Sequence, residues 1–161
     1  MKEYLIVDGY NIIFAWDELC ELAKDSLEAA RSALVEKMSA YRIFCDTEII
    51  VVFDAYKVKG NVGEVERVNG ITVVYTKEAQ TADAYIEKTA KELSKKYRVT
   101  VATSDGLEQL IIFGSGAFRL SARALKESVQ AVEKNVSDIV SEYNIKAENS
   151  DFLRTIREKL E

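Results

Sequence analysis

The sequence has no histidine and no proline, and only seven glycines and two cysteines among 161 residues. Each shortage closes off a class of function. Without histidine there can be no Ser-His-Asp or Cys-His catalysis, no imidazole acid or base, and no His-containing zinc site. Cys20 and Cys45 are isolated, with no CxxC pair, so they cannot build a thiolate cage; they are expected to be reduced thiols of a cytoplasmic protein. Any metal held by side chains is therefore expected to be a hard ion bound through oxygen. The glycines form neither a dinucleotide-binding fingerprint nor a P-loop: DGYN around Gly9 and GSGAF from Gly114 lack the spacing, which argues against a nucleotide cofactor. No apolar run is long enough to cross a bilayer. The short run in MKEYLIVDGYNIIF is interrupted by Asp8 and reads as a first strand rather than a signal peptide. No repeat and no proline- or serine-rich linker divides the chain.

What is present is a composition of 48% hydrophobic and 30% charged residues with a net charge of -5, as in a soluble globular protein of one ordinary domain, residues 1–161. Net acidity does not exclude a nucleic-acid partner, because a local basic stripe suffices to bind phosphate. Candidate stripes are Lys57 and Lys59 with Arg67, and Arg119 and Arg123 with Lys126. Lys95, Lys96 and Arg98 read as a solvated face.

Apolar runs alternate with helical periodicity. Strands are expected at residues 3–7, 48–53, 71–76, 98–103 and 117–120, and the unalternated EIIVVF is the pattern of a strand buried on both faces. Helices are expected over 26–42 with Ser26 as cap, over 82–96 after Thr81, from Ser121 onward, and as a closing piece from about Asn149. The polar stretch KVKGNVGEVERVNG reads as a loop. Such alternation implies an α/β fold: a central, mostly parallel sheet of about five strands with helices on both faces.

Four aspartates stand at or just beyond the apolar runs: Asp8, Asp54, Asp83 and Asp105. In a parallel sheet they would converge on the carboxyl edge, where α/β folds bind ligands. A lone aspartate after a strand is an ordinary turn cap, but four at one edge repel one another unless a cation or proton intervenes, which points to bound Mg²⁺ or Mn²⁺. The chemistry this allows is metal-assisted hydrolysis of a phosphodiester. Asp8 and Asp83 are best placed as direct ligands, with Asp54 and Asp105 completing the ring. Asn11 would fix Asp8 or donate to a phosphate, and Ser104 or Thr103 would contact substrate phosphate. Thr81 opens a helix whose N-terminus favours phosphate. Tyr10, Tyr56 and Trp16 are candidates for base stacking, although aromatics at strand ends more often pack.

Five segments in this order resemble the YacP-like branch of the NYN domain family, within the PIN-like nucleases. They are DGYNII (Asp8 to Ile13), VVFDAY (Val51 to Tyr56), TKEAQTADAYIE (Thr76 to Glu87), VATSDGLEQ (Val101 to Gln109) and GAFRLSARAL (Gly116 to Leu125). The resemblance spans essentially the whole chain. It implies a PIN-like three-layer sandwich and divalent-metal-dependent RNA cleavage, with Asp8, Asp54, Asp83 and Asp105 as the acidic positions and Asn11 and Ser104 as supporting polar ones. It further implies an endoribonuclease cutting mRNA in association with the translating ribosome. Two other functions compete. A phosphatase would need a DxD-type nucleophile, which DGY does not supply, whereas a non-catalytic RNA- or ribosome-binding adaptor would keep the acidic crevice without turnover.

Overall fold

The computed structural model of the chain describes residues 2–54, 63–77, 79–106, 112 and 114–160, and within 147–160 only the side chains of Arg154 and Glu158. Six strands form one sheet: β1 (Glu3–Asp8), β2 (Glu48–Phe53), β3 (Glu64–Val68), β4 (Ile71–Tyr75), β5 (Arg98–Ala102) and β6 (Phe118–Leu120). Their spatial order is β3-β4-β2-β1-β5-β6. All neighbours are parallel except the β3–β4 pair. The α/β fold expected from the sequence is therefore present, with one strand more than the five foreseen.

The extra strand is β3, in the stretch read as a loop. EVERV alternates charged and apolar residues and four of its five positions are exposed, as in an edge strand with one partner. The signal that marks it is Asn69-Gly70, whose positive φ angles of 47° and 87° make the two-residue turn that joins antiparallel strands. Gly70 then leads directly into β4.

Helices cover both faces. α1 (Gly9–Ala15), α2 (Asp17–Asp25), α3 (Leu27–Cys45) and the start of α5 (Ala122–Leu160) lie on one side, and α4 (Ala82–Ser94) on the other. Alternate residues of each strand feed the two layers: Leu5, Val7, Val51 and Phe53 meet the first group, and Ile6, Val52, Val74 and Val101 meet α4. Since both faces of the central strands are covered, their sequences are apolar without alternation. Ser26 caps α3 as expected, its hydroxyl accepting from Ala29 N at 3.1 Å. Cys20 and Cys45 are free thiols, and Trp16 is buried, its Nε1 donating to Ala122 O at 2.9 Å. No helix among the described residues is long and apolar enough to cross a membrane.

The chain divides into two compact units, Met1–Val129 and Gln130–Glu161. The first holds the whole sheet. The second consists of the later part of α5, a continuous helix where two pieces were expected. Without proline, the polar residues near Asn149 are not enough to break it, since asparagine and serine cost a helix only about 0.5 kcal/mol each.

Gly9 controls how closely α1 approaches the sheet. A Cβ at this position would stand 2.9 Å from Val52 O and closer still to the Phe53 ring, so the helix can begin directly beneath β2 only if this residue has no side chain. Gly9→Ala is expected to overpack the contact and destabilise the fold by about 1–3 kcal/mol. Urea denaturation would measure it, and an unchanged midpoint would mean that Phe53 can turn aside without cost.

Candidate active site

The strand order fixes where a site can form. From β1 the chain steps through β2 to β4, then crosses to the other side of β1 for β5 and β6. The carboxyl ends of β1 and β5 therefore flank the point where the winding reverses, the place where a crevice opens in such sheets. Asp8 ends β1, and Thr103, Ser104 and Asp105 follow β5.

Two short hydrogen-bond chains tie these ends together. Thr103, fully buried, donates its hydroxyl to Asp8 Oδ2 at 3.2 Å and accepts from the backbone N–H of Asp105 at 3.1 Å. It thus orients the Asp8 carboxylate and turns the backbone that carries Asp105. Asn11, on α1, accepts at Oδ1 from Ser104 N at 2.5 Å and from Ser104 Oγ at 2.7 Å, which anchors the β5 loop to the helix following Asp8. Asn11 and Ser104 are therefore engaged with each other, and only the Asn11 amide nitrogen could donate to a phosphate. Being fully buried, Thr103 cannot touch substrate; its expected role passes to positioning Asp8.

Asp54 and Asp83 stand beside this pair on the β2 side. Asp8 is in register with Val52, two residues before Asp54. One Asp54 carboxylate oxygen, Oδ2, accepts from the N–H of Ala82 at 3.3 Å, the first residue of α4, so a carboxylate sits at the positive end of that helix. Asp83 is the next residue and is exposed, whereas Asp54 and Asp105 are half-buried and Asp8 is only 7% exposed. Thr81 caps α4, its hydroxyl accepting from Ala84 N at 3.1 Å.

Of the aromatic candidates, Tyr10 and Trp16 are packing residues. Tyr10 is buried and stands 5.1 Å from the Phe53 ring, which is stacked on Tyr75 at 5.6 Å. Burial pushes the Tyr10 phenol above its ordinary pKa; the hydrogen bond and charge of Arg31 oppose the shift, while the nearby Asp54 charge adds to it. Arg31 Nη1 donates to that phenol at 3.1 Å, a neighbour of the site that the sequence did not single out.

The basic candidates are dispersed. Arg67 lies at the amino edge of the sheet, opposite Thr72 and 3.7 Å from Glu48, because β3 runs back from the site. Burial works against ionisation of Glu48, yet Arg42, Lys2 and Arg67 together hold its carboxyl below the ordinary range. Arg119 is exposed on β6, and Arg123 is exposed in the first turn of α5, 3.5 Å from Glu127. Lys57, Lys59 and Tyr56 lie outside the described residues.

Donor chemistry at this edge is oxygen only, which suits a hard ion. Among the described residues no three acidic or cysteine side chains are gathered closely enough to cage one. Mg²⁺ keeps several waters and asks for one or two direct carboxylates, so the set fits a largely hydrated ion rather than a fully protein-liganded one.

Residues 5–161 match the YacP-like NYN domain family. Over 135 residues the chain is 44% identical to the protein YacP of Bacillus subtilis (strain 168), spanning 83% of this chain and 79% of that one. The crystal structure of Rae1 (YacP) from Bacillus subtilis is similar with a TM-score of 0.77 at 39% identity, covering 96% of this chain and 92% of that one. A mutant of the same protein gives 0.75 at 40% identity, with 88% and 82% covered. With the fold, the order of its motifs and these likenesses in agreement, the chain belongs to the YacP-like NYN domain family.

Proposed function

We propose that the carboxyl edge of the sheet is the active site of a cytoplasmic, divalent-metal-dependent endoribonuclease, with Asp8, Asp54, Asp83 and Asp105 as its acidic residues and mRNA on the translating ribosome as its substrate. Membership of this PIN-like ribonuclease family makes the chain a hydrolase acting on RNA. The residue roles, the ion and the ribosome go beyond that membership. The observation that supports the residue roles most directly is the buried link from Asp105 N through Thr103 to Asp8, which brings two acidic residues to the switch point of the sheet.

Mg²⁺ or Mn²⁺ would be held by Asp8 and Asp83 with Asp54 and Asp105 completing the ring, in part through water, and would supply charge neutralisation and a more acidic water. Thr103 keeps the Asp8 carboxylate in one orientation, and Asn11 keeps the Ser104 loop against α1. The dipole of α4, whose positive end lies beside Asp83, favours an incoming phosphate. Since the chain has no histidine, the proton released by the attacking water passes to a carboxylate or to solvent. The site residues all lie within the unit Met1–Val129. Arg119 and Arg123 are exposed on that unit and are assigned, with Lys57 and Lys59, to the surrounding RNA surface.

Cleavage of labelled RNA, both free and as mRNA on translating ribosomes, tests this reading. Activity should require Mg²⁺ or Mn²⁺, vanish in EDTA, return on adding the ion, and fall at least about a hundredfold in Asp83→Asn. Cuts confined to ribosome-bound mRNA would support the partner as well. RNA or ribosome binding without cleavage in either format would make the chain an adaptor instead.

A further inference from the structure

A groove of about 620 Å³ runs along the flank of α4, lined by Lys77, Gln80, Tyr85, Lys88, Thr89 and Glu92 among others, a size ordinary for a small-ligand site. None of these residues carries out the steps above. Tyr85 lines the groove while also packing against the buried cluster beneath α4, so its ring is a fixed wall rather than a freely moving side chain. Lys77 and Lys88 are exposed and, among the described residues, take no part in a salt bridge. Among the described lining residues the single acid, Glu92, accepts from Lys95 at 3.2 Å, so Lys77 and Lys88 outnumber it there. Backbone conformation also shapes it: Gly63, at φ +88°, leaves room for the Lys77 stem, whose Cγ would lie 2.5 Å from a Cβ there.

The groove is joined to the acidic edge by the start of α4. Residues 79–80 lead into Thr81, the cap of the helix; Ala82 donates to Asp54; and Tyr85 N–H bonds to Thr81 O at 3.1 Å. One helical turn, about 5.4 Å, separates the catalytic end from the aromatic wall. Asp83 and Glu87 lie on a different stripe of the helix from Tyr85, Lys88 and Glu92, so their carboxylates are turned away from phosphates held on the lysines.

We infer that this groove seats a nucleotide of the RNA strand within one or two positions of the cut, with its base against Tyr85 and its phosphates on Lys77 and Lys88. This rests on the acidic edge being the nuclease centre. A rigid aromatic surface beside unpaired cations is how proteins hold single strands without reading their sequence. The preference it confers is for single-stranded substrate, because a base paired in a duplex cannot leave its stack to lie on the tyrosine.

The test is binding of a fluorescent ten-nucleotide single-stranded RNA in EDTA, followed by anisotropy across a salt series, so that cleavage plays no part in the readout. Lys77→Gln with Lys88→Gln should weaken binding about tenfold and reduce the slope of log K against log salt by about 1.4, two phosphate contacts at 0.7 each. Tyr85→Leu, which keeps an apolar side chain for the packing, should weaken it by about tenfold with the salt slope unchanged. Lys91→Gln with Lys96→Gln removes equal charge from α4 and the turn that follows it, outside the groove, and should leave the affinity within about twofold. Equal losses from both lysine pairs, or none from the groove variants, would overturn the inference. Metal-dependent cleavage assayed separately on Asp83→Asn reports on the nuclease centre, so failure of the groove and failure of the active site are told apart.

Discussion

Asp8→Asn should reduce the rate of RNA cleavage at saturating substrate by at least about a hundredfold while leaving the protein folded. The substitution changes one oxygen to an amide nitrogen at nearly constant volume, so β1 and its neighbours need not move. What disappears is the negative charge. Asp8 is only 7% exposed, and holding an ionised carboxylate there, beside half-buried acidic neighbours, opposes folding in the absence of a cation. The variant should therefore melt at the same temperature as the parent or slightly above it. Loss of activity with undiminished stability is the signature of a residue kept for chemistry at a cost to the fold. Full activity in the variant would remove Asp8 from the centre, and a lowered melting temperature would mean that the charge on Asp8 contributes more through its bond from Thr103 than its burial costs.

Thr103→Val separates orientation from ligation. Valine fills nearly the same space but has no hydroxyl, so Asp8 Oδ2 loses a donor and Asp105 N–H loses its acceptor. Loss of hydrogen bonds at a buried position costs about 1–3 kcal/mol. Release of a carboxylate that binds an ion weakens metal affinity or activity by about 10–100-fold. Manganese titration by calorimetry and thermal melting would read the two effects separately, and Thr103→Ser should recover most of both because it restores the hydroxyl. A valine variant that binds manganese as tightly as the parent would make Thr103 a packing residue only.

Much of this was written plainly in the chain. Runs such as EIIVVF end in aspartate because a strand covered on both faces has nowhere to put a charge until it leaves the sheet, so Asp8 and Asp54 could be placed at one edge from sequence. Thr103 was visible as a polar residue after β5, but its burial depends on the lateral pairing of β1 with β5, which no local pattern specifies. From its position in the sequence alone, Thr103 therefore looks like a substrate contact. Arg67 follows the same logic: thirteen residues after Asp54 it appears close to the site, yet the Asn69-Gly70 hairpin places it at the far edge, next to Glu48. The bounds of α1 and α2 are not legible in the sequence, since the two helices are short and joined at Trp16. Tyr85 was legible only as part of an apolar stripe; that it also lines a groove follows from the residues just before α4.

The sheet order also has a temporal side. Asp8 and Thr103 are 95 residues apart in the chain, and at the usual pace of synthesis, about 5–20 residues per second, that interval lasts about 5–20 s. During it β1, β2 and β4 can pair, but the other edge of β1 has no partner and the Asp8 carboxylate has no hydroxyl to hold it. The newborn protein is thus unable to join Asp8 to Thr103 until most of it has left the exit tunnel, so the two ends of the sheet edge that this bond links come together only late in synthesis.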